Sequence, residues 1–237
     1  MAVGIIVGYA DAYMPILDES LLPTGVCTAG TSIENGQGRL YPDEREYIRT
    51  SNDTRRRQFT AGRSCAHDAL RCLGISALPV LKGKHGEPLW PEGVIGSISH
   101  CHDYAAAAVA LRRNYAGIGL DVEPAEPLDR DLRLLVCTAA ELEMLGRTDI
   151  PDIHFWDRII FSAKESVYKC IYPLAGVFLD FQDIEISFSG KAGQFHASVP
   201  AALPARSSLP HEYQGRYVVS SAHLFTALVL DAAALIR

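Results

Sequence analysis

Gly117-Ile118-Gly119-Leu120-Asp121-Val122-Glu123-Pro124 alternates bulky apolar residues with small or acidic ones, the pattern of a half-buried β-strand. On a strand, side chains two residues apart share a face. Asp121 and Glu123 therefore stand on one side with Gly119, while Ile118, Leu120 and Val122 stand on the other. Two carboxylates about 7 Å apart along a strand repel each other unless a cation lies between them. Hard oxygen donors in such a pair suit Mg²⁺, which usually completes its shell with water and substrate phosphates. A lone Asp-x-Glu is equally the look of an ordinary solvated strand end.

About 40 residues later comes Trp156-Asp157-Arg158-Ile159-Ile160-Phe161-Ser162-Ala163-Lys164-Glu165-Ser166-Val167-Tyr168-Lys169. Its spacing predicts a helix over roughly Ile153–Tyr172, with Ile160, Ala163, Val167, Cys170 and Leu174 as the apolar stripe. Arg158, Ser162, Glu165 and Lys169 fall on nearly the opposite face, with Glu165 and Lys169 at i and i+4. Read alone, that pair is an exposed ion pair contributing only about 0.3–0.5 kcal/mol.

Upstream, Pro42-Asp43-Glu44 opens a short helix, and a second helix runs from Asp53 or Thr54 to about Leu73, stopping at Gly74. Residues 18–40, rich in Gly, Pro, Thr and Ser, read as a long surface excursion. Strands are expected at Val94–Ser99, Tyr104–Leu111, 116–123, 181–188, 194–199 and 215–230, and Met1–Ile6 reads as another. Thr138-Ala139-Ala140-Glu141 is a capping box opening a helix that ends at Gly146. Helices and short strands without strict βαβ alternation give an α+β fold. A faint echo links the halves. Phe59-x-x-x-Arg63 matches Phe161-x-x-x-Glu165, and Ser99 with Tyr104–Leu111 matches Ser221 with Phe225–Leu230. The echo implies two similar half-domains with a cleft between them, where ligands commonly bind.

The 237 residues carry 48% hydrophobic side chains, ample for a core, and 21% charged ones, which excludes wholesale disorder. A net charge of -6 argues against a surface that grips nucleic acid or anionic lipid as a whole. No uncharged apolar run approaches the roughly 20 residues that span a bilayer. The six cysteines include no Cys-x-x-Cys pair, and with no secretory signal they read as free thiols of a cytoplasmic protein. The positive charge is local: six basic residues lie between Arg45 and Arg63.

Taken together, Gly119-Leu120-Asp121-Val122-Glu123 and Phe161-Ser162-Ala163-Lys164-Glu165-Ser166-Val167-Tyr168-Lys169 resemble the paired signature of the 4'-phosphopantetheinyl transferases. Leu120 stands where the family usually has Ile or Val, which leaves the carboxylates where they are. Ser97-Ile98-Ser99-His100 is similar to the family's strand end. Arg55–Arg63 and Leu81–Pro91 look like the broad-specificity Sfp-like class, in particular the siderophore-synthase (enterobactin synthase component D-like) subgroup. The resemblance runs from about residue 45 to 180.

The resemblance implies two α+β half-domains related by a pseudo-twofold, residues 1–113 and 114–237, with the active site in the cleft between them. It implies transfer of 4'-phosphopantetheine from coenzyme A to a serine of an acyl or peptidyl carrier protein, releasing 3',5'-ADP. Arg55 and Arg63 would hold the 3'-phosphate end, and Lys82, Gly83, Lys84 and His85 the nucleotide. Ser99 and His100 would bind a phosphate. Asp121, Glu123 and Glu165 would bind Mg²⁺, with Mn²⁺ as a possible substitute. Glu165 would accept the serine proton, directly or through water, and Lys169 would neutralise the β-phosphate. Carrier docking is expected along Pro151–Tyr172 and at Phe178 and Leu179, on a monomer that binds neither nucleic acid nor membrane. The same three carboxylates would also suit a metal-dependent nucleotide or pyrophosphate hydrolase, with water as acceptor.

Overall fold

The computed structural model describes residues 17, 20–34, 38–76, 78–146, 155–188, 192–199 and 209–235. The first half contains β1 (Cys27–Ser32), α1 (Pro42–Arg45), α2 (Asp53–Cys72), β2 (Leu81–Lys82), β3 (Pro88–Leu89), β4 (Val94–His100) and β5 (Tyr104–Leu111). The second contains β6 (Tyr115–Pro124), α3 (Arg130–Val136), α4 (Ala139–Leu145), α5 (Trp156–Ala175), β7 (Glu185–Ser187), β8 (Gln194–Ser198), β9 (Glu212–Val219) and β10 (His223–Asp231). The fold is α+β, as expected.

Local signals set most boundaries. Asn52 caps α2 by accepting from Arg55 N at 2.8 Å. Gly74 follows its end at φ +79°, a conformation that glycine adopts without strain. Thr138 and Glu141 form the expected capping box: Thr138 N donates to Glu141 Oε2 at 2.7 Å, and Glu141 N to Thr138 Oγ1 at 3.3 Å. Five readings change. Of the strand expected at 181–188, Phe181–Asp183 is a 3-10 turn and only Glu185–Ser187 is strand. Residues 18–40 are not simply a surface excursion, because β1 pairs antiparallel with β5, Cys27 opposite Val109. Its sequence, Cys-Thr-Ala-Gly-Thr-Ser, lacks the bulky alternation that announces a strand. The stretch 215–230 is a hairpin of β9 and β10 rather than one strand. α3 was not anticipated, although Asp129 caps it by accepting from Leu132 N at 2.9 Å. α5 passes Pro173 and ends at Gly176, φ +64°. Ile153 and the segment Met1–Ile6 lie outside the described residues.

β1-β5-β4 form one antiparallel sheet and β6-β10-β9-β8-β7 another. The alanine-rich β5 is buried on both faces. Ala105, Ala107 and Val109 meet Ala61, Cys65, Ala66, Ala69 and Leu70 of α2. Ala106, Ala108 and Ala110 meet Ile118, Leu120 and Val122 of β6, with Phe225 and Ala227 of β10. α5 covers the other side of the second sheet, where Ile160, Ala163, Val167, Cys170 and Ile171 pack with Phe195, Ala197 and Leu228. The order is helix, sheet, sheet, helix. The sequence echo thus falls on two corresponding units, a long helix against an antiparallel sheet in each half.

The two sheets meet along β4 and β6 through side chains. Ser97 Oγ accepts from Leu120 N at 3.0 Å, and Ser99 Oγ accepts from Val122 N at 3.3 Å. α5 approaches β6 closely because Gly117 and Gly119 leave room. A Cβ on Gly119 would lie 1.7 Å from the Ser166 carbonyl oxygen, which is backbone and has little freedom to yield. Among the described residues no helix is long and apolar enough to cross a membrane. The six cysteines are free thiols, and Cys27 Sγ and Cys72 Sγ touch at 2.9 Å.

Gly119→Ala is expected to cost at least about 1–3 kcal/mol by overpacking, because α5 must lift from β6. Gly146→Ala, whose Cβ meets nothing closer than 3.4 Å, should change stability by no more than about 0.5 kcal/mol. Urea denaturation of both variants checks the pair, and equal stabilities would refute the close approach.

Candidate active site

Asp121 lies on β6 opposite Thr226 of β10 and is almost fully buried. A buried carboxylate requires partners for its oxygens, and each oxygen has them. Oδ1 accepts from Ser99 Oγ at 2.8 Å and from Lys169 Nζ at 2.6 Å. Oδ2 accepts from Ser162 Oγ at 2.7 Å. Thr226 Oγ1 donates to the Ser162 carbonyl at 2.7 Å, locking that turn of α5 against β10. Lys169 also donates to Ser99 Oγ at 3.1 Å and stands 3.9 Å from Glu165. Burial works to lower the Lys169 pKa, but the charges of Asp121 and Glu165 outweigh it and hold the ammonium above its usual range.

Glu123 shares the strand face with Asp121 and pairs with Arg158 Nη1 at 2.9 Å. Arg158 is fixed in turn by the carbonyls of Glu126 and Pro127, each at 3.1 Å. Burial, then the charge of Asp121, pushes the Glu123 carboxyl up to about 7 against the pull of Arg158. Burial, offset by Lys169 and reinforced by Asp121, also raises Glu165. The three carboxylates do not close on a single point. Among the described residues, the trio of ligand atoms that all lie within 4.8 Å of one another belongs to Cys101, Asp103 and His223. Even so, Asp121, Glu123 and Glu165 offer oxygen donors only, and burial raises the carboxyls of Glu123 and Glu165, with the Asp121 charge adding to it. That donor set fits a hard divalent cation.

His100 ends β4 beside this cluster. Arg55 Nη1 lies 3.1 Å from its Nε2, and since the guanidinium can only donate, Nε2 accepts. The proton is then on Nδ1, which is buried and makes no well-aligned hydrogen bond, its nearest acceptor being the Cys101 backbone. Burial and the Arg55 charge lower the His100 pKa, keeping the ring neutral. A buried N–H without a well-aligned acceptor fits a phosphate oxygen.

Arg55 and Arg63 both sit on α2 but in different surroundings. Arg55 is exposed, whereas Arg63 is buried, stacked 4.6 Å over the Phe59 ring, with its Nε unpaired. Burial lowers the Arg63 pKa to about 10, against the opposing charge of Glu44. Lys82 ends β2 opposite Pro88, and Gly83, Lys84 and His85 begin the turn to β3. Gly83 N donates to the Glu87 carbonyl at 2.7 Å, and a Cβ on Gly83 would lie 2.1 Å from Glu87 Oε1. Lys84 and His85 are exposed, and the His85 ring lies 6.0 Å from that of Tyr172 on α5.

Ser99, His100, Arg55, Asp121, Glu123, Glu165 and Lys169 are thus joined where β4, β6, α2 and α5 converge. Arg63 and the hairpin border them. Sequence reasoning gave no role to Ser162, Thr226 or Arg158. The signal for two of them was present, since Ser162 and Arg158 share the helix face of Glu165 and Lys169; Thr226 carries no local mark. Lys164, inside the motif, is structural: buried, it donates to Glu141 at 2.7 Å and to the Val136 and Phe181 carbonyls at 2.9 and 2.8 Å. One docking residue is corrected. Phe178 is 71% exposed, but Leu179 is only 5% exposed and packs in the core under α5, so it has no surface to offer. Pro151 lies outside the described residues.

The 4'-phosphopantetheinyl transferase N-terminal domain profile matches residues 43–110, and the 4'-phosphopantetheinyl transferase superfamily profile matches residues 117–222. The chain is 38% identical over 199 residues to 4'-phosphopantetheinyl transferase Svp of Streptomyces mobaraensis, covering 82% of this chain and 80% of that protein. It is 35% identical over 219 residues to 4'-phosphopantetheinyl transferase Npt of Nocardia iowensis, covering 89% and 98%. With enterobactin synthase component D of Escherichia coli (strain K12) it shares 37% identity over 134 residues, 55% of this chain and 62% of that protein.

The raised Glu123 carboxyl fixes the sign of a pH effect. Without a cation, the folded chain holds the Glu123 proton up to about 7, while the ordinary value is 4.5. Between those values the folded state binds more protons than the unfolded state, so this group's contribution to stability falls as pH rises. Thermal melts in chelator across this range should show a shallower decline in Glu123→Gln than in the wild type. Parallel curves would refute the assignment.

Proposed function

The chain belongs to the 4'-phosphopantetheinyl transferase superfamily, and from that premise we propose that it transfers 4'-phosphopantetheine from coenzyme A to a serine hydroxyl of acyl or peptidyl carrier proteins, leaving 3',5'-ADP. The observation that carries the reading is the Asp121–Lys169–Ser99 contact, which unites both sequence motifs and the end of β4. Asp121, Glu123 and Glu165 would hold Mg²⁺, or Mn²⁺ in its place, and a cation held there would supply charge stabilisation for the leaving nucleotide.

The chain's own groups do the rest. Arg55 and Arg63 hold the adenosine end, particularly its 3'-phosphate, as charge-assisted donors. The backbone at Gly83 and the side chains of Lys82, Lys84 and His85 border the nucleotide. His100 donates its Nδ1–H to a phosphate oxygen, with Ser99 alongside. Glu165, its carboxylate made more basic by burial, accepts the serine proton directly or through water. Lys169 neutralises the β-phosphate. We take residues 1–113 as the half that holds most of the coenzyme A cations. Residues 114–237 are then the half that holds the carboxylates and docks the carrier.

The test is incubation with coenzyme A, Mg²⁺ and an apo carrier protein, followed by mass measurement of the carrier. A gain of one phosphopantetheinyl group is expected. Coenzyme A consumed without carrier modification would instead mean hydrolysis. Glu165→Gln should lower kcat by at least about 100-fold, the usual scale for a general base, while coenzyme A still binds through Arg55, Arg63 and Lys82. Wild-type kcat in that variant would sink the assignment.

Phe178, exposed and 5.6 Å from the Tyr168 ring on α5, offers an apolar contact to the carrier. Phe178→Ala should raise the carrier KM and leave coenzyme A affinity unchanged. Unchanged carrier kinetics would remove this face from the docking surface.

A further inference from the structure

On the side of the β4–β6 junction away from Asp121 lies a second cluster of ligand-type side chains. Cys101 and Asp103 belong to the turn between β4 and β5, and His223 begins β10, 120 residues beyond Asp103. His223 Nε2 lies 2.9 Å from Asp103 Oδ1, and Cys101 Sγ donates to the same oxygen at 3.2 Å. His102 Nε2 stands 3.5 Å from it as well. The turn is held by its backbone: Cys101 N donates to the Tyr104 carbonyl at 2.9 Å, and Ile33 N to the Asp103 carbonyl at 2.7 Å. The His223 ring packs against Tyr104 at 5.1 Å and Phe225 at 6.3 Å.

The chemistry narrows what this cluster can do. Cys101 is not poised as a nucleophile, because its contact is a carboxylate rather than a base, and burial pushes its thiol up to about 11. Thiolate, imidazole and carboxylate together are the donor set of Zn²⁺, whereas the oxygen-only set around Asp121 suits Mg²⁺. In a tetrahedral zinc shell with bonds of about 2.0–2.3 Å, ligand atoms stand roughly 3.3–3.8 Å apart. The separations here are 2.9, 3.2 and 3.5 Å about Asp103. The trio's ligand atoms all lie within 4.8 Å of one another. Small side-chain shifts would open the cluster to a metal.

We propose that Cys101, Asp103 and His223, with a water completing the shell, form a Zn²⁺ site that clips the first half of the chain to the second. The metal displaces the hydrogen bonds about Asp103, and the Cys101 thiol gives up its proton to solvent as it becomes a ligand. Because the ligands come from both halves, bound Zn²⁺ stabilises the folded chain over the unfolded one. The site is separate from the carboxylates and takes no part in phosphopantetheine transfer.

Titration of the full metal-free chain with Co²⁺, in the absence of coenzyme A, is the test. One equivalent should produce a thiolate-to-cobalt charge-transfer band, which oxygen ligands at the carboxylate cluster cannot give. Cys101→Ser should abolish the band, and His223→Gln should weaken Co²⁺ affinity by at least about tenfold. A Cys27→Ser/Cys72→Ser double variant should keep it. Zn²⁺ should raise the melting temperature of the wild type but not that of His223→Gln. A wild-type titration without a thiolate band overturns the site. So does a band that survives Cys101→Ser or disappears with Cys27 and Cys72. Should Cys101→Ser fail to fold, unchanged Co²⁺ affinity in His223→Gln overturns it equally.

Discussion

The fold and its candidate site both depend on the junction of β4 with β6, where serine hydroxyls do what a backbone ladder would otherwise do. Ser97 and Ser99 accept from the amides of Leu120 and Val122. Ser99 also donates to Asp121. One hydroxyl therefore joins the two sheets and orients the carboxylate at the centre of the cluster. The small residues around it serve the same closeness. Alanines on both faces of β5 let α2 and the second sheet come near, and Gly119 admits the α5 backbone. Larger side chains at these positions would separate the very elements that carry the reactive groups.

Charge balance follows from that geometry. Asp121, Glu123 and Glu165 face Lys169 and Arg158, while burial and the Arg55 charge keep His100 neutral. Three carboxylates against two cations leave an excess of negative charge in a poorly solvated place. Burial first, and the Asp121 charge after it, raise the Glu123 and Glu165 carboxyls. Lys169 relieves part of it by lying on Asp121, and Arg158 relieves part of it at Glu123. A divalent cation would complete the balance and bring these carboxyls back toward their ionised forms. The ammonium would then be free to meet an incoming phosphate.

Sequence carried the fold as far as its periodicities were strong. The α5 stripe, the Thr138 capping box and the limits of α2, from Asp53 to the stop at Gly74, are local signals, and the structure keeps them. β1 was hidden because Cys27–Ser32 has no large alternating side chains; it is a strand because β5 offers it an edge. The β9–β10 hairpin has only Ser220-Ser221 to mark its turn, with no Gly, Pro or Asn between two apolar strands. Asp121, Glu123, Glu165 and Lys169 were legible as a motif. Their support from Thr226 depends on the pairing of β10 with β6, more than 100 residues apart in sequence, which no short pattern records. Leu179 shows the opposite failure, an apolar residue beside an exposed one that the core claims for itself.

The two faces of the same junction differ in kind. Toward α5, β6 presents Asp121 and Glu123, while its other residues, Ile118, Leu120 and Val122, enter the central core. β10 divides likewise, Thr226 supporting the oxygen cluster and His223 reaching the turn after β4. Strand alternation thus separates hard oxygen donors from thiol and imidazole by the thickness of one sheet. Such a separation matters for selectivity, because zinc binds most mixed sites more tightly than magnesium does. A chain whose thiol and imidazole donors stand apart from its clustered carboxylates would keep the harder ligands for a harder ion.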